Sequence, residues 1–204
     1  MLSVEFHLCI LNTVLVSNGL FLYIEQSKHS VTYIKRYLQL REPQVEAYAK
    51  LYEYFKSGRK TAIIQIPGGC GKSGIAAIAP FGIAKGRALV VAPNLTIKEG
   101  LFESLDVTNR QKCFWRKRDI LAEKAMIGGP FATTLDTGNI SVCEKSHFVV
   151  SNVHQLATNP EKWLHRFPKD FFRSAYYIAT RRDATQGRCH YCVKNFRGPP
   201  RTSS

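Results

Sequence analysis

The chain reads as an α/β domain, a parallel sheet with helices on both faces, and three observations predict it. Short apolar runs recur at 61–66, 87–92 and 147–151, each closed by Pro or Asn. Stretches of helical spacing fill most of the intervals. A glycine-rich loop joins the first run to the next helical stretch. Strand, helix, strand, helix, strand in that order needs crossover connections, and these favour parallel pairing. With 204 residues, 45% of them hydrophobic, the chain can build one such domain around a core.

The elements follow in order. Residues 1–37 read as an N-terminal extension without a usable motif. Within it, 8–24 is apolar but short for a membrane span, and Asn12, Thr13, Ser17, Asn18 and Gly19 interrupt it. No basic residue precedes it and no small-residue cleavage pattern follows, so it reads as strand-turn-strand or incidental extension rather than a signal peptide. The folded unit is expected over 38–172. Val45, Tyr48, Ala49, Tyr52 and Phe55 recur at helical spacing, Pro43 suits a first turn, and Ser57-Gly58 stops the helix. Residues 61–66 then read as a buried strand feeding the glycine loop. From Lys72 to about Ala84 the pattern is helical, with Pro80 ending or kinking it. Residues 87–92 form the next strand, 95–105 a helix, 147–151 a third core strand and 152–158 a short helix. The interval 106–145 gives mixed signals. Residues 173–204 hold six Arg and one Lys against one Asp, a net of +6, and read as a solvated basic tail.

Lys and Arg number 29 against 15 Asp and Glu, a formal net charge of +14. So large an excess favours a polyanionic partner, most simply nucleic acid. No basic amphipathic helix points to a membrane instead. The six cysteines, Cys9, Cys70, Cys113, Cys143, Cys189 and Cys192, are scattered. Beside a nucleotide motif they argue for a reduced, intracellular and cytoplasmic setting rather than a disulfide framework. Cys189-His190-Tyr191-Cys192 supplies half of a tetrahedral zinc site, and no second ligand pair follows.

The chemistry is concentrated in Pro67-Gly68-Gly69-Cys70-Gly71-Lys72-Ser73. A triphosphate needs backbone N–H groups converging on its oxygens, and Gly68, Gly69 and Gly71 allow that close approach. The start of the following helix adds its positive dipole end. Lys72 supplies a cation for the outer phosphates, and Ser73 a hydroxyl for a Mg²⁺ carried by the nucleotide. Cys70 reads as a small tolerated residue, not a nucleophile. The general phosphate-loop pattern wants glycine at position 66, where Ile66 stands. The plain alternative is a glycine-rich turn ahead of a helix that happens to carry Lys and Ser.

Together with its neighbours this loop resembles the first RecA-like domain of superfamily 2 helicases, in particular the type III restriction enzyme Res branch. Leu40-Arg41-Glu42-Pro43-Gln44-Val45-Glu46-Ala47 is similar to the family's opening helix, which implies that Gln44 contacts the adenine. Val90-Val91-Ala92-Pro93-Asn94 is similar to motif Ia, which implies backbone contacts to nucleic acid at Pro93 and Asn94. Val149-Val150-Ser151-Asn152-Val153-His154-Gln155-Leu156 is similar to a later loop facing the tracked strand, which implies the same for Ser151 and Asn152. The resemblance spans about 38–172 and implies ATP and Mg²⁺ as cofactors, with DNA preferred over RNA. Plainer readings stand beside it: Gln44 as an ordinary helix residue, Asn94 and Thr96 as helix caps, His154 as a surface histidine.

Hydrolysis in such a domain needs an Asp-Glu pair ending a strand beside the phosphate loop, the Asp for Mg²⁺ and the Glu for the attacking water. After position 160 the only acids are Glu161, Asp170 and Asp183, and none forms such a pair. The resemblance therefore implies part of a DNA helicase or translocase, inactive by itself, and leaves open whether the chain is an enzyme. Two other functions remain: a non-catalytic nucleic-acid-binding protein with a vestigial phosphate loop, and an unrelated small P-loop NTPase or kinase.

Overall fold

A computed structural model describes residues 39–59, 61–66, 69–81, 83–84, 87–120, 130–158, 160–168, 171, 176–182 and 189–195. The extension at 1–37 lies outside the described residues.

Helix α1 (Glu42–Lys56) starts with Pro43 in its first turn and buries Gln44, Tyr48 and Leu51. Val45, Tyr52 and Phe55 pack half-buried against the same core. Burial of each large apolar side chain contributes about 1.5–3 kcal/mol. Tyr48 is fully buried and its hydroxyl donates to the Phe81 carbonyl at 2.6 Å, which satisfies the one polar atom the burial would orphan. Strand β1 (Thr61–Ile66) leads to the glycine loop and helix α2 (Lys72–Ile78). Pro80 does end α2 early, and its carbonyl accepts from Ile83 and Ala84 in the turn that follows. Strand β2 (Ala88–Ala92), helix α3 (Leu95–Leu105) and the short helix α4 (Phe114–Lys117) come next. Strand β3 (Ala132–Thr134), helix α5 (Ile140–Lys145), strand β4 (Phe148–Asn152) and helices α6 (Val153–Thr158) and α7 (Pro160–Arg166) complete this part.

Two further strands, β5 (Tyr176–Arg182) and β6 (Cys189–Asn195), run through the stretch that its charge marks as a solvated tail. The six strands form one sheet in the order β1-β6-β5-β2-β4-β3. Strands β3, β4, β2 and β5 are parallel. Strand β6 is antiparallel to both β5 and β1, so the sheet is parallel at its centre and mixed on the phosphate-loop side.

Alternation along β2 and β4 divides the core between the two faces. Ala88, Val90, Ala92, Phe148 and Val150 meet α1, α2, α3 and α4, around Trp115. Leu89, Val91 and Val149 meet Leu135, Cys143 of α5, Trp163 of α7, Phe167 and Phe171. Helices thus cover both faces, and β2 and β4 are buried at every position. Strand β1 differs from the buried strand its composition suggests. It sits last in the strand order, its burial alternates, and Ile63 is 71% exposed.

Candidate nucleotide site

Strand β1 is antiparallel to β6, which is antiparallel to β5, so β1, β5, β2 and β4 all point their carboxyl ends to one edge. The glycine loop, Pro93-Asn94 and the turn after Asn152 lie along that edge. Pro67 and Gly68 fall outside the described residues; Gly69 to Ser73 are described.

Gly71 caps α2 with φ 78° and ψ 48°, left-handed backbone that favours glycine. Space excludes a side chain there as well, because a Cβ would stand 2.4 Å from Nε2 of Gln44. That amide group is close because it holds the loop. Gln44 Nε2 donates to the Gly71 carbonyl at 2.6 Å, and Oε1 accepts from the backbone N–H of Arg41 at 3.0 Å. The Arg41 guanidinium donates to the Gly69 carbonyl. Two side chains from the opening of α1 therefore tie two loop carbonyls. One turn further on, a Cβ at Gly74 would stand 2.3 Å from Gln44 Nε2 and 2.5 Å from Cε2 of Phe114. Helix α4 thus presses an aromatic edge against the base of the loop through Phe114.

Lys72 and Ser73 are the first two residues of α2 and are half-exposed. Among the described residues neither side chain has a protein hydrogen bond or ion pair. The first N–H groups of a helix have no partner within it, so this turn can offer donors, a cation and a hydroxyl to an anion. Cys70 is half-buried in the loop. Cys113 and Cys143 are buried, and burial pushes both thiols up, away from the reactive thiolate.

Gln44, placed against the adenine by resemblance, is 1% exposed with both ends of its amide bonded inside the protein. Asn94 is exposed and its Oδ1 accepts from the Ile97 N–H at 2.9 Å, a cap for α3. Pro93 beside it is half-buried. Ser151 and Asn152 are both buried. Asn152 Oδ1 accepts from the Gln155 N–H at 2.7 Å, and Ser151 Oγ lies 3.2 Å from Gln155 Oε1. Their side chains hold the turn, and the residues this turn shows to solvent are Val153 and His154. Sequence reasoning missed Arg41 and Phe114 as loop supports. A glycine inside a helix, at 74, is the sequence signal for such close packing.

Beside the loop, backbone register aligns Gln65 with His190 and Arg181, and Ile66 with Cys189 and Arg182. The carboxyl end of β5, separated from the phosphate-loop strand by β6, reads Thr180-Arg181-Arg182. Asp170 and Asp183 lie outside the described residues. Cys189 and Cys192 both belong to strand β6. No helix among the described residues is long and apolar enough to cross a membrane.

A central parallel sheet, helices on both faces and a glycine loop between its edge strand and a helix define a P-loop α/β domain of RecA-like type. Residues 37–179, more than half of the chain, match the family of type III restriction enzyme res subunits, and the chain belongs to that family. It carries that family's helicase-like ATP-binding domain. No curated protein and no solved structure shows a significant match.

Proposed function

We propose that this chain is the ATP-binding and DNA-binding portion of a helicase or translocase of the type III restriction res family, acting in the cytoplasm and inactive as a motor by itself. The loop from Gly69 to Ser73 carries the reading. Its backbone is held from behind by Arg41 and Gln44, and Lys72 and Ser73 remain uncommitted among the described residues. In this reading Lys72 meets the outer phosphates and Ser73 a nucleotide-borne Mg²⁺. Nucleic acid lies along the same edge, against Pro93-Asn94 and the turn after β4, attracted by the +14 charge. DNA is favoured over RNA by the family alone.

The Arg181-Arg182 end of β5 favours a second reading, a nucleic-acid-binding protein that holds nucleotide without hydrolysing it. One experiment addresses both. A fluorescent ATP analogue is titrated against wild type and Lys72→Ala, and phosphate release is followed with and without duplex DNA. Loss of one charge-assisted phosphate contact should cost about 1.5–3 kcal/mol of binding. Release should stay at background, far below the ~1 s⁻¹ of slow working enzymes. Equal affinity in the two proteins would sink the site assignment. DNA-stimulated turnover abolished by Lys72→Ala would show a complete motor.

A further inference from the structure

Resting on the nucleic-acid reading above, we propose that residues 110–118 form a second surface for the phosphate backbone of duplex DNA, away from the strand edge. Glu103 occupies part of that surface until DNA arrives, in the place a phosphate takes.

Five cations fall within these nine residues, Arg110, Lys112, Arg116, Lys117 and Arg118, with no acid between them. That is far denser than the 29 Lys and Arg spread over the 204-residue chain. Burial sorts the segment into two sides. Cys113, Phe114 and Trp115 are buried. Arg110, Lys112 and Lys117 are exposed, and Arg116 and Arg118 are half-exposed. The inner side is anchored, with the Trp115 ring 5.3 Å from that of Phe81 and 6.5 Å from that of Phe148. Asn109 Oδ1 accepts from the Gln111 and Lys112 N–H groups at 3.2 and 3.0 Å, and Arg116 Nε donates to the Val107 carbonyl at 3.2 Å. The cations therefore stand on a fixed base, and little freedom is lost when a polyanion meets them.

Lys112 already holds an anion. Its Nζ donates to both carboxylate oxygens of Glu103 at 2.9 Å. Two oxygens of one anion on one ammonium is also the contact a backbone phosphate makes. The Lys112 side chain is 56% exposed, and pairs so exposed hold weakly, which lets a phosphate displace the carboxylate. Glu103 lies in the last turn of α3, whose other end is capped by Asn94 at the strand edge. The 11 residues of α3 span about 16 Å. A duplex carries a charge every ~1.7 Å of its axis, so one backbone can meet both ends of the helix. Asp106 and Asp119 flank the segment and confine the positive surface to it.

The test compares two matched ion pairs in the full chain. Lys50 Nζ donates to Glu46 at 2.6 Å in a likewise exposed pair on α1, so changes there alter net charge equally but leave residues 110–118 alone. Affinity for one duplex is read by fluorescence anisotropy over a salt series. Lys112→Ala should weaken binding about fivefold near 0.1 M salt and lower the logarithmic salt slope by about 0.9. Lys50→Ala should stay within about twofold, with its slope unchanged. Glu103→Gln frees Lys112 and should tighten binding about two- to threefold, whereas Glu46→Gln should not. In the Lys112→Ala background Glu103→Gln should have no effect. Equal effects of the two lysines, or of the two glutamates, would overturn the inference, because net charge alone would then explain them. So would a Lys112→Ala protein with a lowered urea midpoint and an unchanged salt slope, which would make the pair purely structural. In both cases wild-type binding to the duplex leaves the nucleic-acid reading standing. If the wild-type chain binds no duplex at all, that reading fails and takes this inference with it.

Discussion

At the scale of single residues, glycine at 74 and histidine at 147 make the sharpest predictions. Gly74→Ala would place a Cβ 2.3 Å from the Gln44 amide and 2.5 Å from the Phe114 ring. Overpacking of this kind should destabilise the domain by about 1–3 kcal/mol, read by urea unfolding, and weaken nucleotide binding in parallel. A fully stable Gly74→Ala protein with wild-type binding would refute the close packing. His147 is buried, and desolvation pushes it down from 6.5 to about 4. Its Nδ1 accepts from the Phe131 N–H at 3.1 Å, which fixes the neutral ring. Between those two values the unfolded chain binds a proton and the folded one does not. Stability present above pH 6.5 is thus lost as pH falls toward 4, by up to about 3 kcal/mol. Urea midpoints at pH 7 and 4.5 test this, and His147→Asn should flatten the difference. The buried place of Gln44 was not legible in the sequence, because its bond to Gly71 joins positions 27 apart. Only the glycine inside α2 hinted at it.

At the scale of elements, legibility followed continuity of apolar character. Strands β2 and β4 are short apolar runs closed by Pro or Asn, and they sit where the pattern puts them. The phosphate loop was equally plain, since glycines, Lys and Ser stand between a strand and a helix. Helix α4 is four residues long, too short for any period to declare itself. Strands β5 and β6 were hidden by Arg181, Arg182, Lys194 and the cysteines, which made composition outweigh the Tyr176-Tyr177-Ile178-Ala179-Thr180 run. The consequence is testable by truncation. A chain ending at 172 loses β5 and β6, which leaves β1 without a partner among the described strands and bares one side of β2. Its thermal transition, followed by near-ultraviolet circular dichroism, should lose cooperativity, whereas a chain ending at 195 should keep it. A cooperative transition in the shorter chain would mean that the last two strands add nothing to the fold.

For the whole molecule, the proposed association with DNA would be governed by the charge of +14. Binding should be electrostatic, with log K falling by roughly 0.9 per phosphate contact as log salt rises, and nearly indifferent to sequence. Filter binding of two unrelated duplexes over a salt series checks both halves. A flat salt response would remove the polyanion from the account. Strong discrimination between the duplexes would require base-reading contacts along an edge whose named polar residues, Asn94 and Asn152, are already capping helices.

The order of strands in the sheet also fixes an order in time. Strand β1 hydrogen-bonds to β6 and to no other described strand, yet Thr61–Ile66 precedes Cys189–Asn195 by most of the chain. During synthesis at roughly 5–20 residues per second, the phosphate-loop strand must wait of the order of ten seconds for the strand that docks it. The α1 and β2 regions can gather beforehand, because their contacts are nearer in sequence. Throughout that wait the loop lacks its sheet-side support, so a nascent chain would gain its grip on nucleotide last.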